Sequence, residues 1–202
     1  MLLVIDTSTA ACTTALFDEA GDCVARRDEL IGRGHAERLV PMIEELLAGR
    51  RADRILVGVG PGSFTGIRVG IAAAQGLAIG WDAEVAGLSS LALLAASADA
   101  DGAVAAAMEG GHGELFVQMF DGPTLDPQSD ALNLPPDAAA AAVNADTVVG
   151  PGAQRLVDAR GRGTAIAGWP SAANALRLPE SLRSLDPKPL YGRAPDARAK
   201  AA

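Results

Sequence analysis

Two short stretches of the chain carry residue types that could do chemistry. The first is Asp6-Thr7-Ser8-Thr9, whose aspartate ends the apolar run LLVID. A carboxylate at the end of a buried strand, followed by hydroxyls, suits the metal ion and phosphates of a nucleotide. The same residues equally suit a turn in which carboxylate and hydroxyls cap their own backbone. Both interpretations are open, and the candidate cofactor-binding residues are Asp6, Thr7, Ser8 and Thr9.

The second stretch is the glycine-rich turn VGPGSFTG at residues 59–66, which precedes a long helical pattern with Ser63 as its predicted N-cap. It is not a P-loop because no Gly-Lys-Ser/Thr follows, and its glycine spacing does not fit GxGxxG. A helix N-terminus behind the turn would still offer backbone amides to an anion. The turn therefore predicts either an anion site or a place where backbones pack closely.

Residue types that catalysis or metal binding usually needs are scarce. The chain has two histidines and two cysteines, and they form no HxxxH, HExxH or CxxC motif. No GxSxG elbow supports a serine hydrolase. His35 precedes a helical pattern, where capping or packing is the simpler role. We therefore expect no metal site and no catalytic residue.

Composition and charge limit the function classes further. Hydrophobic residues make up 49 % and charged residues 21 % of the 202 residues, as in ordinary globular proteins. A formal charge of −8 disfavours nucleic-acid binding by this chain alone, because phosphate contacts need clustered lysine and arginine. The N-terminal apolar run has no basic flank and is too short for a signal peptide or a membrane span. We expect a cytoplasmic protein that binds no membrane.

The elements that must position these stretches alternate along the first half of the chain. The order β-β-β-α-β-α-β-α predicts an α/β lobe, with a mixed five-stranded sheet and helices on its faces. The first three strands read as an antiparallel meander. The predicted strands cover residues 2–6, 12–18, 23–29, 54–59 and 84–88, and the main helices cover residues 35–48 and 64–80.

A polar break at residues 99–103 predicts a lobe boundary. Residues 1–99 then form the first lobe, and residues 100–202 form a smaller second lobe whose C-terminal tail is expected to pack back on the first. The second half contains a predicted hairpin, a helix led by two prolines and a second glycine turn, VGPGA, at residues 149–153. The match between VGPGS and VGPGA is either chance or a sign that the lobes are divergent copies.

Small residues recur along the helix behind the first glycine turn. An interior glycine costs a helix about 1 kcal/mol relative to alanine, so close approach of another backbone must offset that cost. The stripe packs either on a helix of the same chain or on another subunit. Its members are Gly66, Gly70, Ala73, Gly76 and Gly80.

Four motifs cover most of residues 1–95 and return at 187–197: IDTST, HAERLVPMIEELL, VGVGPGSFTGIRVGIAAAQGLA and KPLYGRAPDA. Together they resemble the TsaB (YeaZ-type) family, a subunit of the bacterial tRNA threonylcarbamoyladenosine machinery. The resemblance implies a two-lobed, ribonuclease H-like fold of the actin, hexokinase and Hsp70 type with a shortened second lobe. One segment, MEGGHGELF at residues 108–116, departs from the family's Asp-Ala-Arg pattern. A role of that segment in nucleotide or tRNA contact is therefore in doubt.

The resemblance also implies a function. It points to a non-catalytic dimerisation or activating subunit that binds the homologous, catalytic TsaD-type subunit for threonylcarbamoyl transfer to the adenosine beside the tRNA anticodon. A TsaE-type ATPase and tRNA are implied as partners through the complex, with a homodimer when the chain is alone. No tightly bound cofactor is implied, and ATP or ADP at the subunit boundary stays an expectation. The first two helices are implied to form the contact, with partner-binding residues His35, Leu39, Met42, Gly66, Arg68, Gly70, Ala73 and Gly76.

Two other functions compete with this hypothesis. An ATP-dependent kinase-like enzyme of the actin and hexokinase class would use Asp6. A glycoprotease-type peptidase is suggested only by older naming of the wider family, and the chain has neither zinc ligands nor a nucleophile elbow. The stripe of small residues further predicts that Gly70→Leu abolishes pairing with a partner while the monomer stays folded.

Overall fold

The computed structural model describes residues 1–190, and its first lobe is built on a five-stranded mixed sheet. The strands are β1 (Leu2–Asp6), β2 (Ala11–Phe17), β3 (Cys23–Leu30), β4 (Arg54–Gly60) and β5 (Glu84–Ser89). Their order across the sheet is β3-β2-β1-β4-β5. β1 pairs antiparallel with β2 and parallel with β4, so the predicted meander and the mixed sheet are confirmed.

Three helices complete the first lobe: α1 (His35–Leu47), α2 (Phe64–Trp81) and α3 (Ser90–Ala95). The Ser63 side chain caps α2 by accepting the N–H of Gly66, as predicted. α1 and α2 each connect parallel strands and therefore run in the same direction. Their inner faces pack together on one side of the sheet, so their C-terminal ends lie side by side.

The second lobe repeats this arrangement. Its elements are β6 (Ala103–Glu109), β7 (Leu115–Asp121), β8 (Leu132–Leu134), α4 (Pro136–Ala142), β9 (Thr147–Val149), α5 (Ala153–Arg160) and β10 (Thr164–Ile166). The order β10-β9-β6-β7-β8 reproduces the first sheet strand for strand, with the same parallel and antiparallel pairings. VGPGS and VGPGA join corresponding elements, β4 to α2 and β9 to α5. Duplication therefore explains the two turns better than chance does.

One apolar core joins the two sheets. Helix α3 is buried along its whole length between them. Around it, Val4 and Phe17 of the first lobe and Met108 and Phe120 of the second belong to one buried cluster. The two sheets therefore share one apolar core around α3.

The chain after the second lobe runs back over the first. The N–H of Ala172 donates to Thr13 Oγ1 at 2.7 Å, and Leu185 exchanges backbone hydrogen bonds of 2.7 and 3.0 Å with Gly87. The C-terminal motif resembling the family begins within this segment, but its residues 191–197 lie outside the described residues. Within residues 1–190, no helix is long and apolar enough to cross a membrane.

The small residues of α2 divide into two groups. A Cβ added at Gly66 would overlap the carbonyl oxygen of Thr7, and one added at Gly70 would lie 2.5 Å from Thr7 Oγ1. At Gly76 and Gly80, an added Cβ would meet no atom of the described chain within 4 Å. The first pair therefore packs inside the lobe, and bulk at Gly70 would disturb the fold itself. Gly70→Leu is consequently no test of pairing.

Gly66→Ala and Gly76→Ala make the same chemical change on one helix. We expect Gly76→Ala to raise the free energy of unfolding by about 1 kcal/mol, because it removes the propensity cost of an open glycine. We expect Gly66→Ala to lower it by about 1–3 kcal/mol, because the new methyl group overlaps the Thr7 carbonyl oxygen. Urea denaturation measures both changes, and changes of equal sign would contradict the packing described for α2.

Candidate functional site

The Asp6 carboxylate is enclosed by the chain's own donors. Its side chain is completely buried at the end of β1. Ser8 donates its N–H and its hydroxyl to Oδ1 at 2.9 and 2.7 Å, and Ser90 donates its hydroxyl to Oδ2 at 2.6 Å. The Ser90 oxygen accepts the N–H of Gly60 at 3.3 Å. The carboxylate thus joins β1 to the glycine turn and to the start of α3.

This environment does not fit a ligand of a nucleotide-bound metal. Burial raises the pKa of Asp6 above its ordinary value of 3.8, and the hydrogen bonds from Ser90 and Ser8 act in the opposite direction. A Cβ added at Gly58 would overlap Asp6 Oδ2, so backbone closes the remaining side. In this structure Asp6 therefore presents no exposed carboxylate for the kinase-like hypothesis.

The three hydroxyl residues after Asp6 are buried as well. Thr7 donates its hydroxyl to the carbonyl oxygen of Gly66 at 2.7 Å, and Thr9 Oγ1 accepts the N–H of Ala11 at 3.1 Å. All four predicted cofactor-binding residues therefore use their side chains within the fold. This arrangement matches the interpretation in which they cap their own turn.

The glycine turn is a close-packing device. The N–H of Ser63 donates to the carbonyl oxygen of Ser8 at 2.7 Å, and a Cβ at Gly62 would overlap that same oxygen. The N–H of Gly66 is taken by the Ser63 side chain at 3.2 Å. The hydrogen bond to Ser8 and the lack of room for a Cβ at Gly62 support the packing interpretation of the turn.

In the second lobe the glycine turn also packs against the central strand, but that strand carries no carboxylate at the position of Asp6. The N–H of Gly152 donates to the carbonyl oxygen of Ala107 at 2.9 Å, as Ser63 does to Ser8 in the first lobe. Around this point β6 carries three consecutive alanines, residues 105–107. Close approach of the turn is therefore the shared feature of the two lobes, and a buried acid is not.

The divergent segment MEGGHGELF forms the connection between β6 and β7. Its centre is a single 3-10 turn, Gly111–Gly113, in which His112 has a φ of 56°. Arg155 of α5 donates to the carbonyl oxygen of Gly113 at 2.8 Å, and Asn133 donates to the Glu114 carboxylate at 2.6 Å. In the part of the chain that the structure describes, no group of three His, Cys, Asp or Glu residues could hold a metal ion.

The second candidate site is the solvent side of α1 and α2. Val40 is 57 % exposed and Ile79 is 87 % exposed, although both are large and apolar. Five exposed apolar or small residues of the two helices are spaced three or four apart within their helix and therefore lie on one side of it. We call this surface the outer helix face, formed by Ala36 and Val40 of α1 and Ala72, Gly76 and Ile79 of α2.

The predicted partner-binding residues fall partly on this surface. Arg68 and Gly76 are exposed and Ala73 is half-buried. The guanidinium of Arg68 stacks over the Phe64 ring, 3.4 Å from its centroid. The buried members are His35, Leu39, Met42, Gly66 and Gly70.

The buried members have packing roles. Leu39 and Met42 form the inner face of α1, and His35 Nε2 lies 3.3 Å from the carbonyl oxygen of Ala11. In this conformation these side chains support the helices rather than reach a partner. The sequence analysis did not identify Val40 and Ile79. Both could have been recognised as apolar residues that lie outside the buried, 3.6-residue pattern of their helix.

Comparisons with known proteins point to one family. The family model described as "TsaD: tRNA N6-adenosine threonylcarbamoyltransferase" matches residues 28–135. The TsaB protein of Haemophilus influenzae is 44 % identical over 102 residues, which cover 48 % of this chain and 42 % of that protein. The TsaB protein of Escherichia coli is 38 % identical over 123 residues, which cover 57 % of this chain and 52 % of that protein. The chain spans about half the length of these two relatives.

Two solved structures match over nearly their whole length. YeaZ from Pseudomonas aeruginosa has a TM-score of 0.78 at 32 % identity and covers 94 % of this chain, with 98 % of YeaZ covered. A protein from that organism, described as similar to the peptidase YeaZ, has a TM-score of 0.80 at 32 % identity. The match covers 95 % of this chain and 99 % of that protein.

The enclosure of Asp6 makes stability depend on pH in a defined direction. Because the folded-state pKa is raised, the stability that Asp6 contributes is complete below about pH 4 and declines as the pH rises through the folded pKa. Asp6→Asn has no such proton to lose. We expect the unfolding free energy of the wild type, relative to this variant, to fall as the pH rises above about 4.

Urea denaturation of both proteins across this range measures the difference, and a pH-independent difference would contradict a raised pKa. Asp6→Ala is the control for the hydrogen bonds. It leaves the donors from Ser8 and Ser90 unpaired, at about 1–3 kcal/mol for each.

Proposed function

The chain belongs to the TsaB/YeaZ family, and from that membership and its exposed helices we propose that it is a non-catalytic activating subunit in tRNA threonylcarbamoyladenosine synthesis. It acts by binding a TsaD-type subunit. That partner transfers the threonylcarbamoyl group from its adenylate to the adenosine beside the anticodon. The observation that carries the proposal is the outer helix face, which exposes apolar side chains on the two helices.

The non-catalytic role is supported by what surrounds the chain's best acid. Catalysis or metal binding needs lone pairs that a substrate can reach. Both oxygens of Asp6 accept hydrogen bonds from Ser8 and Ser90, and the side chain is fully buried. The proposal therefore assigns the chemistry to the partner and leaves this chain to stabilise the partner's productive state.

The outer helix face suits a helical partner. Exposed apolar side chains that cluster on one surface mark an interaction site. Ala36, Ala72 and Gly76 are small, so helices of a partner can approach α1 and α2 closely between Val40 and Ile79. A homologous partner brings a corresponding helix pair, and the contact buries both.

The charges of the two helices differ. α1 presents the exposed acids Glu37 and Glu44, whereas the exposed charge of α2 is Arg68. A two-fold pairing that sets α1 of one subunit against α2 of the other therefore brings opposite charges together. The same geometry serves a homodimer when the partner is absent, so homodimer and mixed complex compete for one surface.

The remaining partners follow from the chain's charge. With a net charge of −8, the chain is proposed to meet tRNA only through the complex. A TsaE-type ATPase is likewise reached through the complex, and any ATP or ADP is placed at the subunit boundary. The proposed site of action is the cytoplasm.

Ile79→Glu tests the proposal on the most exposed large apolar side chain. A carboxylate there would have to be desolvated in the contact, so we expect the mixed complex with the TsaD-type subunit to be lost. Size-exclusion chromatography with light scattering measures this for each protein alone and for the mixture. The variant chain should also elute as a monomer.

Val24→Glu is the matched control, because Val24 lies on the edge strand β3 and is 44 % exposed. We expect it to pair like the wild type. A wild-type chain that forms no mixed complex would overturn the proposed function. Loss of pairing in Val24→Glu and not in Ile79→Glu would move the contact away from the outer helix face.

A further inference from the structure

A groove opens where the C-terminal ends of α1 and α2 lie side by side. Its volume is about 280 Å³. The apolar lining comes from Ile43 and Leu47 of α1 and from Leu77 and Trp81 of α2. Val40 lines the groove as well as belonging to the outer helix face, so the two surfaces are continuous.

The backbone turns away from α1 at the edge of the groove. α1 ends at Leu47, and the next two residues, Ala48 and Gly49, adopt left-handed conformations with φ values of 48° and 84°. These turns carry the chain away from the helix axis toward β4. The helix therefore ends at the groove, which Leu47 and Gly49 line.

Two arginines, Arg50 and Arg51, lie at the rim of the groove. Arg50 donates to the carbonyl oxygens of Leu47 at 2.9 Å and Leu46 at 3.2 Å, which offsets the partial negative charge at the end of α1. Arg51 stands beside it, is exposed and forms no ion pair with any residue from 1 to 190. Glu44 lines the α1 side. Arg51 is therefore the exposed cation at this rim with which an acidic residue of a partner can pair.

The size of the groove indicates what it can hold. Sites for whole small molecules start at about 300 Å³ and enclose most of the ligand. Because this groove opens to solvent, it does not enclose most of a small molecule, and it is better matched to one large side chain with its backbone outside. Such apolar anchors, seated in pockets at an interface, carry much of the binding energy between proteins.

We propose that this groove is the anchor pocket for the TsaD-type subunit: it takes one large apolar side chain of that partner, whose neighbouring acidic residue pairs with Arg51. The inference rests on the proposed function and adds the residues and the charge that select the partner segment. Trp81 supplies the apolar wall, and Arg51 fixes the direction in which the segment lies.

The test compares dissociation constants for the full-length TsaD-type subunit, measured by isothermal titration calorimetry at low and high salt. We expect Arg51→Glu to weaken binding at least tenfold at low salt and by a smaller factor at high salt, because screening weakens an exposed charge pair. Arg51→Lys should stay within about threefold of the wild type. The charge-reversal control is Arg26→Glu on β3, which should bind like the wild type.

Trp81→Ala tests the apolar wall independently of charge. We expect at least tenfold weaker binding at both salt concentrations, with Trp81→Phe restoring most of the affinity. If Arg51→Glu and Trp81→Ala both bind like the wild type while Ile79→Glu does not bind, the anchor pocket is overturned and the proposed function stands. If the wild type itself does not bind, both are overturned.

Discussion

The close approach of the glycine turn to the end of β1 is the constraint on which this structure depends. Gly58, Gly62 and Gly66 are glycines because Asp6, Ser8 and Thr7 occupy the space that a Cβ would need. That approach brings the Ser90 hydroxyl and the Ser8 donors onto one buried carboxylate. Burying an acid is tolerable only when its lone pairs are used, and here the fold itself uses them. The same contacts that hold the lobe together therefore enclose the carboxylate of Asp6.

The duplication shows which part of this arrangement is essential to the fold. The second lobe keeps the glycine turn against the end of its central strand, with Ala107 in place of Ser8, and carries alanines where the first lobe carries Asp6. The space between the sheets is filled by the shared core around α3. The exposed surfaces on which the proposed function depends are the outer helix face and the groove at its end.

The sequence predicted much of the fold because its signals are local. The apolar runs and the Ser63 cap located the elements of the first lobe, and the repeated VGPG marked corresponding turns. β8 and β10 were missed because each has only three residues and, unlike β9, neither leads into a VGPG turn that marks its end. The site was predicted less well. Small-residue spacing places Gly66, Gly70 and Gly76 on one stripe, but only the tertiary packing on Thr7 decides which of them face inward.

The most direct test of the central claim is threonylcarbamoyl transfer to tRNA, reconstituted with the TsaD-type subunit and either Asp6→Asn or Ile79→Glu of this chain. If this chain activates by surface contact, Asp6→Asn supports transfer at the wild-type rate, because Asp6 touches no substrate. Ile79→Glu then reduces the rate to that measured without this chain. The opposite pattern, with transfer lost in Asp6→Asn and retained in Ile79→Glu, would contradict the account and return the chemistry to Asp6.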